Sequence, residues 1–84
     1  MAIFGSKGYK VSLRGRSGVL YKEDDRRVLI DAEMLTGSTN LVIYFDRLKL
    51  WEEPRKLITR EEREKIRGNV TSELEKHGLV IEWD

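Results

Sequence analysis

Residues 59–78 read TREEREKIRGNVTSELEKHG, and this stretch predicts the one clear helix of the chain. The hydroxyl of Thr59 can accept a hydrogen bond from the amide of Glu62 while the Glu62 carboxylate reaches back to Thr59, which is a capping box. Gly78 has no Cβ and can adopt the left-handed conformation that ends a helix. We therefore expect a helix from Arg60 to His77.

The helix has a single narrow apolar stripe, formed by Ile66, Val70 and Leu74 at intervals of four residues. Gly68 lies inside the helix and makes helix formation about 1 kcal/mol less favourable than alanine would. A helix with one apolar stripe and an internal glycine depends on a docking surface. We expect a β-sheet to provide it.

Three strands are predicted in the first 34 residues. Residues Tyr9–Arg14 alternate between apolar and polar side chains, which is typical of a half-buried strand. Turn-forming residues at 15–18 and 23–26 separate this strand from two others, at Val19–Lys22 and Val28–Met34. Strands joined by tight turns predict an antiparallel meander.

The remaining apolar segments complete the predicted sheet. Leu41–Phe45 is apolar without alternation, so we interpret it as the central strand, covered on both faces. Residues 46–54 can form a short strand or a bent loop, and Leu79–Trp83 predicts a last strand that returns to the sheet. The predicted fold class is α+β: an antiparallel sheet of four to six strands (meander), with one C-terminal helix packed on a face and a final short strand.

The composition indicates a small, well-solvated protein. With 84 residues, of which 39% are hydrophobic and 37% charged, the chain has material for one core, so we expect one domain over residues 1–84 with residues 1–8 as a flexible lead. The absence of cysteine excludes disulfides and thiolate metal sites. No apolar run reaches the length of about 18 residues that a membrane span needs, so we expect a cytoplasmic protein with no membrane partner.

No residue pattern points to catalysis. His77 is the one histidine, at a helix end where a cation is favourable, so neither a Ser-His pair nor a metal site can be assembled around it. Asp31 and Glu33 alternate onto one exposed strand face, and solvated carboxylates do not provide the two environments that a general acid and base require. We therefore predict no enzyme, no catalytic residues, no metal and no cofactor.

Aromatic residues beside acidic residues suggest a protein-binding module instead. Tyr and Trp supply large contact areas at low entropic cost in interfaces. Trp51 stands beside two acids in a predicted loop, where burial is hardest to arrange. The predicted partner surface comprises Tyr44, Trp51, Glu52 and Glu53.

A small nucleic-acid-binding domain is the alternative. The net charge is only +1, but residues 1–22 carry five basic side chains and no acidic one. Aromatic and basic residues on these first strands could stack on bases and contact phosphates. The residues that would do so are Tyr9, Lys10, Arg14, Arg16 and Tyr21.

A spacing of ordinary residues runs through most of residues 18–83. It comprises Val19-Leu20-Tyr21-Lys22-Glu23, Leu41-Val42-Ile43-Tyr44 with Asp46, Trp51-x-x-Pro54, Ile58 to Glu62, Ile66-x-x-Asn69-Val70-x-x-x-Leu74 and Gly78. In this order it resembles a family of small bacterial immunity proteins from polymorphic toxin systems. The basic segment before residue 17 lies outside the resemblance.

The resemblance implies a cytoplasmic protein that binds a cognate toxin domain and blocks it, which protects the producing cell. Such a role needs only a rigid scaffold with a complementary face. The sequence leaves open the identity and activity of the partner, the face that binds it, and whether the chain forms a homodimer through an exposed sheet edge.

Overall fold

The computed structural model describes residues 3–6, 8–15, 18–35, 40–52 and 55–84, with the backbone alone described for residues 3–6. Within these residues the chain forms eight strands and one α-helix, with a 3-10 turn at Phe45–Arg47. The elements are β1 (Ile3–Ser6), β2 (Tyr9–Arg14), β3 (Gly18–Glu23), β4 (Arg26–Met34), β5 (Leu41–Ile43), β6 (Leu50–Trp51), β7 (Lys56–Leu57), α1 (Arg60–Lys76) and β8 (Ile81–Trp83).

The helix has the ends that the sequence predicts. The Glu62 amide donates a 3.1 Å hydrogen bond to Thr59 Oγ1, and the Thr59 amide donates a 2.9 Å bond to Glu62 Oε1, so the capping box is complete. Helix α1 ends at Lys76, and Gly78 has a φ of +84°, the left-handed value that glycine adopts most easily. The prediction of the helix is confirmed.

Six strands form the main sheet in the order β1-β2-β3-β4-β5-β8. The first four pairings are antiparallel, which confirms the α+β class and the predicted meander. The pairing of β5 with β8 is parallel, so the complete sheet is mixed. A parallel neighbour needs a long crossover connection, and helix α1 lies within this one.

The predicted position of strand β5 needs correction. Strand β5 is second from the end of the sheet rather than central, and its Val42 is only half-buried. Among the strands whose side chains are described, β3 is the most buried, with five of its six residues buried. Residues 3–6, which belong to the predicted flexible lead, form strand β1, whose Ile3 pairs with Ser12.

The described part of the undecided segment, residues 46–52, contains the end of the 3-10 turn and strand β6. Strand β6 pairs with β7 in a separate two-stranded hairpin, Trp51 opposite Lys56. The hairpin also contacts β4, because the Glu52 amide donates a 2.8 Å hydrogen bond to the Arg27 carbonyl. Pro54 lies outside the described residues.

The core lies between one face of the sheet and helix α1. The apolar stripe of the helix, Ile66, Val70 and Leu74, is completely buried, as the sequence predicts. It packs in one cluster with sheet residues that alternate along the strands. These sheet residues are Val11, Val19, Tyr21, Val28, Ile30, Ala32, Leu41 and Ile43.

Candidate functional site

A layer of polar side chains connects helix α1 to the sheet. The Tyr21 hydroxyl donates a 2.6 Å hydrogen bond to Glu23 Oε1 and accepts one of 2.8 Å from Asn69 Nδ2. The other Glu23 oxygen accepts from Lys65 Nζ at 3.1 Å and from Arg26 at 2.9 Å. Glu23 is buried, so each of these contacts offsets the cost of placing a carboxylate beneath the helix.

The environment holds these groups in their ordinary charge states at neutral pH. Burial alone would raise the pKa of Glu23, but hydrogen bonds from Tyr21 and Lys65 and the charges of Lys65 and Arg26 lower it overall. Burial is also the main cause that raises the pKa of the Tyr21 phenol. A general acid or base works best with a pKa near the working pH, and neither group has one.

Glu62 joins the same layer at the start of the helix. Its carboxylate pairs with Arg26 and accepts a 3.4 Å hydrogen bond from Trp51 Nε1. The hydrogen bond from the Thr59 backbone is the largest cause that lowers the pKa of Glu62, to about 2, and the contacts with Arg26 and Trp51 add to it. These contacts attach the start of helix α1 to the sheet, and the charges of Glu62 and Arg26 are paired with each other.

A second cluster attaches the other side of the helix to β8. The guanidinium groups of Arg63 and Arg67 lie 4.8 and 5.1 Å from the centre of the Phe45 ring. The Phe45 ring meets Trp83 edge to face at 5.4 Å, and Trp83 Nε1 donates a 2.8 Å hydrogen bond to Thr71. The cation–π contacts and the hydrogen bond made by the Trp83 indole N–H stabilise the packing of the helix against this side of the sheet.

The sheet face opposite the helix carries a row of cations. Lys10, Lys22 and Arg27 are directly opposite one another on β2, β3 and β4, and all three are exposed. Side chains directly opposite on neighbouring strands have Cβ atoms about 4.5–5.5 Å apart. We call this face of the sheet the open face.

A shallow hollow on the open face has an apolar centre. Leu29 is 43% exposed, and Leu20 beside it is almost covered. The hollow is lined by Arg14, Leu20, Arg27, Leu29 and Glu52. Its rim therefore contains charges of both signs around one exposed leucine.

Gly18 and Glu52 hold Leu29 in place over the hollow. A Cβ on Gly18 would lie 2.9 Å from Leu29 Cδ1, so glycine allows the leucine to lie across β3. The Glu52 carboxylate accepts a 3.3 Å hydrogen bond from the Leu29 amide. The apolar centre and one carboxylate of the rim are thus connected.

The far end of the open face is acidic. Glu33 and Glu82 flank Val42 on β4, β5 and β8, and both are exposed. Between the two ends, Arg47 contacts Asp31 at 3.5 Å and stacks on the neighbouring Tyr44 ring at 4.5 Å. The charge on this face therefore changes from basic to acidic across the sheet.

The predicted protein-binding residues do not form one exposed surface. The expectation that Trp51 lies exposed in a loop is wrong, because its side chain is 1% exposed and packs in the core. Tyr44 is half-buried under Arg47, and Glu52 is exposed at the hollow. Glu53 lies outside the described residues.

The predicted nucleic-acid-binding residues are divided between the two faces. Lys10 and Arg14 are on the open face, whereas Tyr21 is completely buried beneath the helix and Tyr9 donates a 3.0 Å hydrogen bond to Glu73 of the helix. Neighbouring residues of a strand point to opposite faces, so Tyr9 and Lys10 cannot form one stacking surface. Arg16 lies outside the described residues.

Three residues of the open face were missed by the sequence reasoning: Lys22, Arg27 and Leu29. A signal for two of them was present, since the two-residue turn Asp24-Asp25 places Lys22 opposite Arg27. The exposure of Leu29 had no such signal. It depends on the hairpin β6–β7 ending beside β4, a contact between distant parts of the chain.

The described residues contain no group of three or more histidine, cysteine or acidic side chains placed to hold a metal ion. Among the same residues, no helix combines the length and the apolar character that crossing a membrane requires. His77 is exposed at the helix end, as expected for its position.

Comparison with known proteins shows the family of this chain. Neither the curated proteins nor the solved structures contain a match to this chain. A family model described as Immunity protein 74 matches residues 10–84, so the match includes the β2 segment that we had placed outside the resemblance. A match over nearly the whole chain shows that this protein belongs to the Immunity protein 74 family.

Proposed function

We propose that this protein binds a cognate bacterial toxin domain from a polymorphic toxin system and blocks it in the cytoplasm of the producing cell. Membership of an immunity protein family supports this role. The toxin is inhibited by occlusion, without a chemical step in the immunity protein.

The open face is the observation that carries the proposal. Helix α1 packs on the other face of the sheet, which leaves the open face accessible to a partner. Its hollow has exposed Leu29 at the centre and Arg14, Arg27 and Glu52 around it. An apolar centre within a polar rim is the usual anatomy of a protein interface.

The proposed contact surface keeps part of the set predicted from the sequence. Glu52 lies at the hollow, and Tyr44 borders the open face through Arg47. We retain Tyr44, Glu52 and Glu53 as proposed contacts. Trp51 is not one of these contacts, because it is buried, and its burial fixes the position of strand β6 next to Glu52.

Co-expression with a toxin tests the function. The probe is the toxin domain that we expect the reading frame next to this gene to encode. Cells that produce the toxin domain alone should lose viability, and co-expression of this protein should restore it. The purified proteins should also elute together in size-exclusion chromatography, and the same column shows whether the immunity protein alone is a dimer.

The negative control is Trp51→Asp. It places a charge in the core, so it should unfold the protein and abolish rescue. Titration then separates occlusion from catalysis, because occlusion protects fully only near one immunity protein per toxin, whereas an enzyme acts at a small fraction of that amount. Absence of both rescue and complex formation would refute the proposed function.

A further inference from the structure

Lys10 and Lys22 are directly opposite each other on the open face, and we infer that they bind carboxylates on an acidic surface of the partner protein. The inference rests on the proposed function and names the chemistry of the partner surface. Arg14, on the same face of β2, extends the basic area towards the hollow.

The arrangement of the two lysines has a cost in the free protein. Like charges directly opposite on neighbouring strands destabilise a sheet, whereas opposite charges at the same positions would contribute about 0.2–1 kcal/mol. Within the described part of the chain, neither lysine has an ion pair or a side-chain hydrogen bond, and neither does Arg14. A carboxylate supplied from outside would relieve the repulsion between the lysines.

The covered face of the sheet shows the opposite pattern. There Arg26 is paired with both Glu23 and Glu62, and Lys65 is paired with Glu23. Arg26 and Lys65 are therefore paired within the chain, whereas Lys10, Lys22 and Arg14 are left for a partner. We therefore assign the ion pairs on the helix side to folding and these three cations on the open face to binding.

The composition of the open face favours a protein over a nucleic acid. Tyr9 and Tyr21, which were predicted to stack on bases, are on the helix side of the sheet. The open face also carries Leu29 and the carboxylates of Glu33, Glu52 and Glu82, which would be repelled by phosphates. A protein surface with carboxylates opposite the lysines and an apolar contact at Leu29 matches all of these features.

The test compares two double charge reversals in their affinity for the neighbouring toxin domain. The first, Lys10→Glu with Lys22→Glu, keeps two like charges opposite each other, so it should fold as well as the wild type. The control, Arg60→Glu with Lys76→Glu, makes the same change in net charge on exposed helix positions. Dissociation constants are measured at low and high salt by isothermal titration calorimetry.

We expect the lysine reversal to weaken toxin binding by at least about tenfold at low salt and to remove most of its salt dependence. The helix reversal should change the affinity less than about threefold. Equal affinities for the wild type and both variants would overturn the inference while leaving the proposed function intact. If the wild type does not bind the toxin domain, the proposed function fails.

Titration with oligonucleotides tests whether the lysines bind a nucleic acid instead. The wild type and both variants are titrated with single-stranded and duplex DNA at low salt. If the wild type binds DNA and the lysine reversal removes that binding but keeps the toxin affinity, the lysines serve a nucleic acid and the inference is wrong. If the wild type does not bind DNA and the lysine reversal loses affinity for the toxin domain, the inference is supported.

Discussion

The Tyr21 hydroxyl donates a 2.6 Å hydrogen bond to the carboxylate of Glu23, two residues further along the same strand and on the same buried face. Tyr21→Phe removes this donor and also leaves Asn69 Nδ2 without its acceptor. Because both groups lie beneath the helix, we expect the free energy of unfolding to fall by about 1–3 kcal/mol, measured by urea denaturation.

The control for this substitution is Tyr44→Phe. The Tyr44 hydroxyl has no hydrogen bond among the described residues, and its ring is half-buried under Arg47. Its removal should change the stability by less than about 0.5 kcal/mol. Equal effects of the two substitutions would show that the buried hydrogen bond between Tyr21 and Glu23 contributes no net stability.

Glu62 should make the stability depend on pH in the acid range. Its pKa is lowered from the ordinary value of 4.5 to about 2 in the folded protein. A lowered folded-state pKa stabilises the fold above the ordinary value, and this stabilisation is lost as the pH falls from about 4.5 towards about 2. Glu23, whose pKa is also lowered, adds to the same trend.

Glu62→Gln should lower the stability at pH 7 and reduce its loss on acidification. Glutamine can still complete the capping box, so the main contact removed is the ion pair with Arg26. Urea midpoints between pH 2.5 and 7 measure the effect, and Glu61→Gln, exposed in the same turn, is the control. Parallel pH profiles for Glu62→Gln and the wild type would contradict the assignment to Glu62.

Local signals predicted the parts of the fold that depend on nearby residues. The capping box at Thr59, the helix end at Gly78 and the buried stripe from Ile66 to Leu74 each depend on positions within a few turns of one helix. The alternation in β2 and β4 likewise records which side chains face the core. All of these predictions are confirmed.

Contacts between distant segments were not predictable in the same way. The position of β5 near the sheet end depends on its pairing with β8, which is brought there by the intervening helix. Trp51 is buried because its hairpin lies against β4 and Glu62, 11 residues away, accepts from its indole. A loop-like neighbourhood in the sequence carries no information about either contact.

Gly68→Ala should stabilise the protein. Nothing lies within 4 Å of a Cβ added at Gly68, and the residue is exposed in the interior of helix α1. Alanine is favoured over glycine there, so we expect a gain of about 0.5–1 kcal/mol in the free energy of unfolding. The toxin affinity should be unchanged, because the open face is on the other side of the sheet. A loss of affinity would place the helix in the interface.

Reversing the charge of Glu52, which lines the hollow, together with that of Glu53 tests the contact surface predicted from the sequence. The double variant Glu52→Lys with Glu53→Lys should weaken binding to the toxin domain without unfolding the protein. Glu52 is exposed, and its 3.3 Å contact with the Leu29 amide is a weak hydrogen bond, so its loss should cost less than about 1 kcal/mol of stability.

The matched control is Glu64→Lys with Glu75→Lys, a double reversal at exposed positions on the helix. It should leave the affinity within about threefold of the wild-type value, because neither residue borders the open face. Calorimetric titration measures binding and circular dichroism checks folding for both variants. Unchanged affinity in the Glu52 and Glu53 variant would remove these residues from the interface, since a charged rim around Leu29 cannot be reversed without cost if a partner covers it.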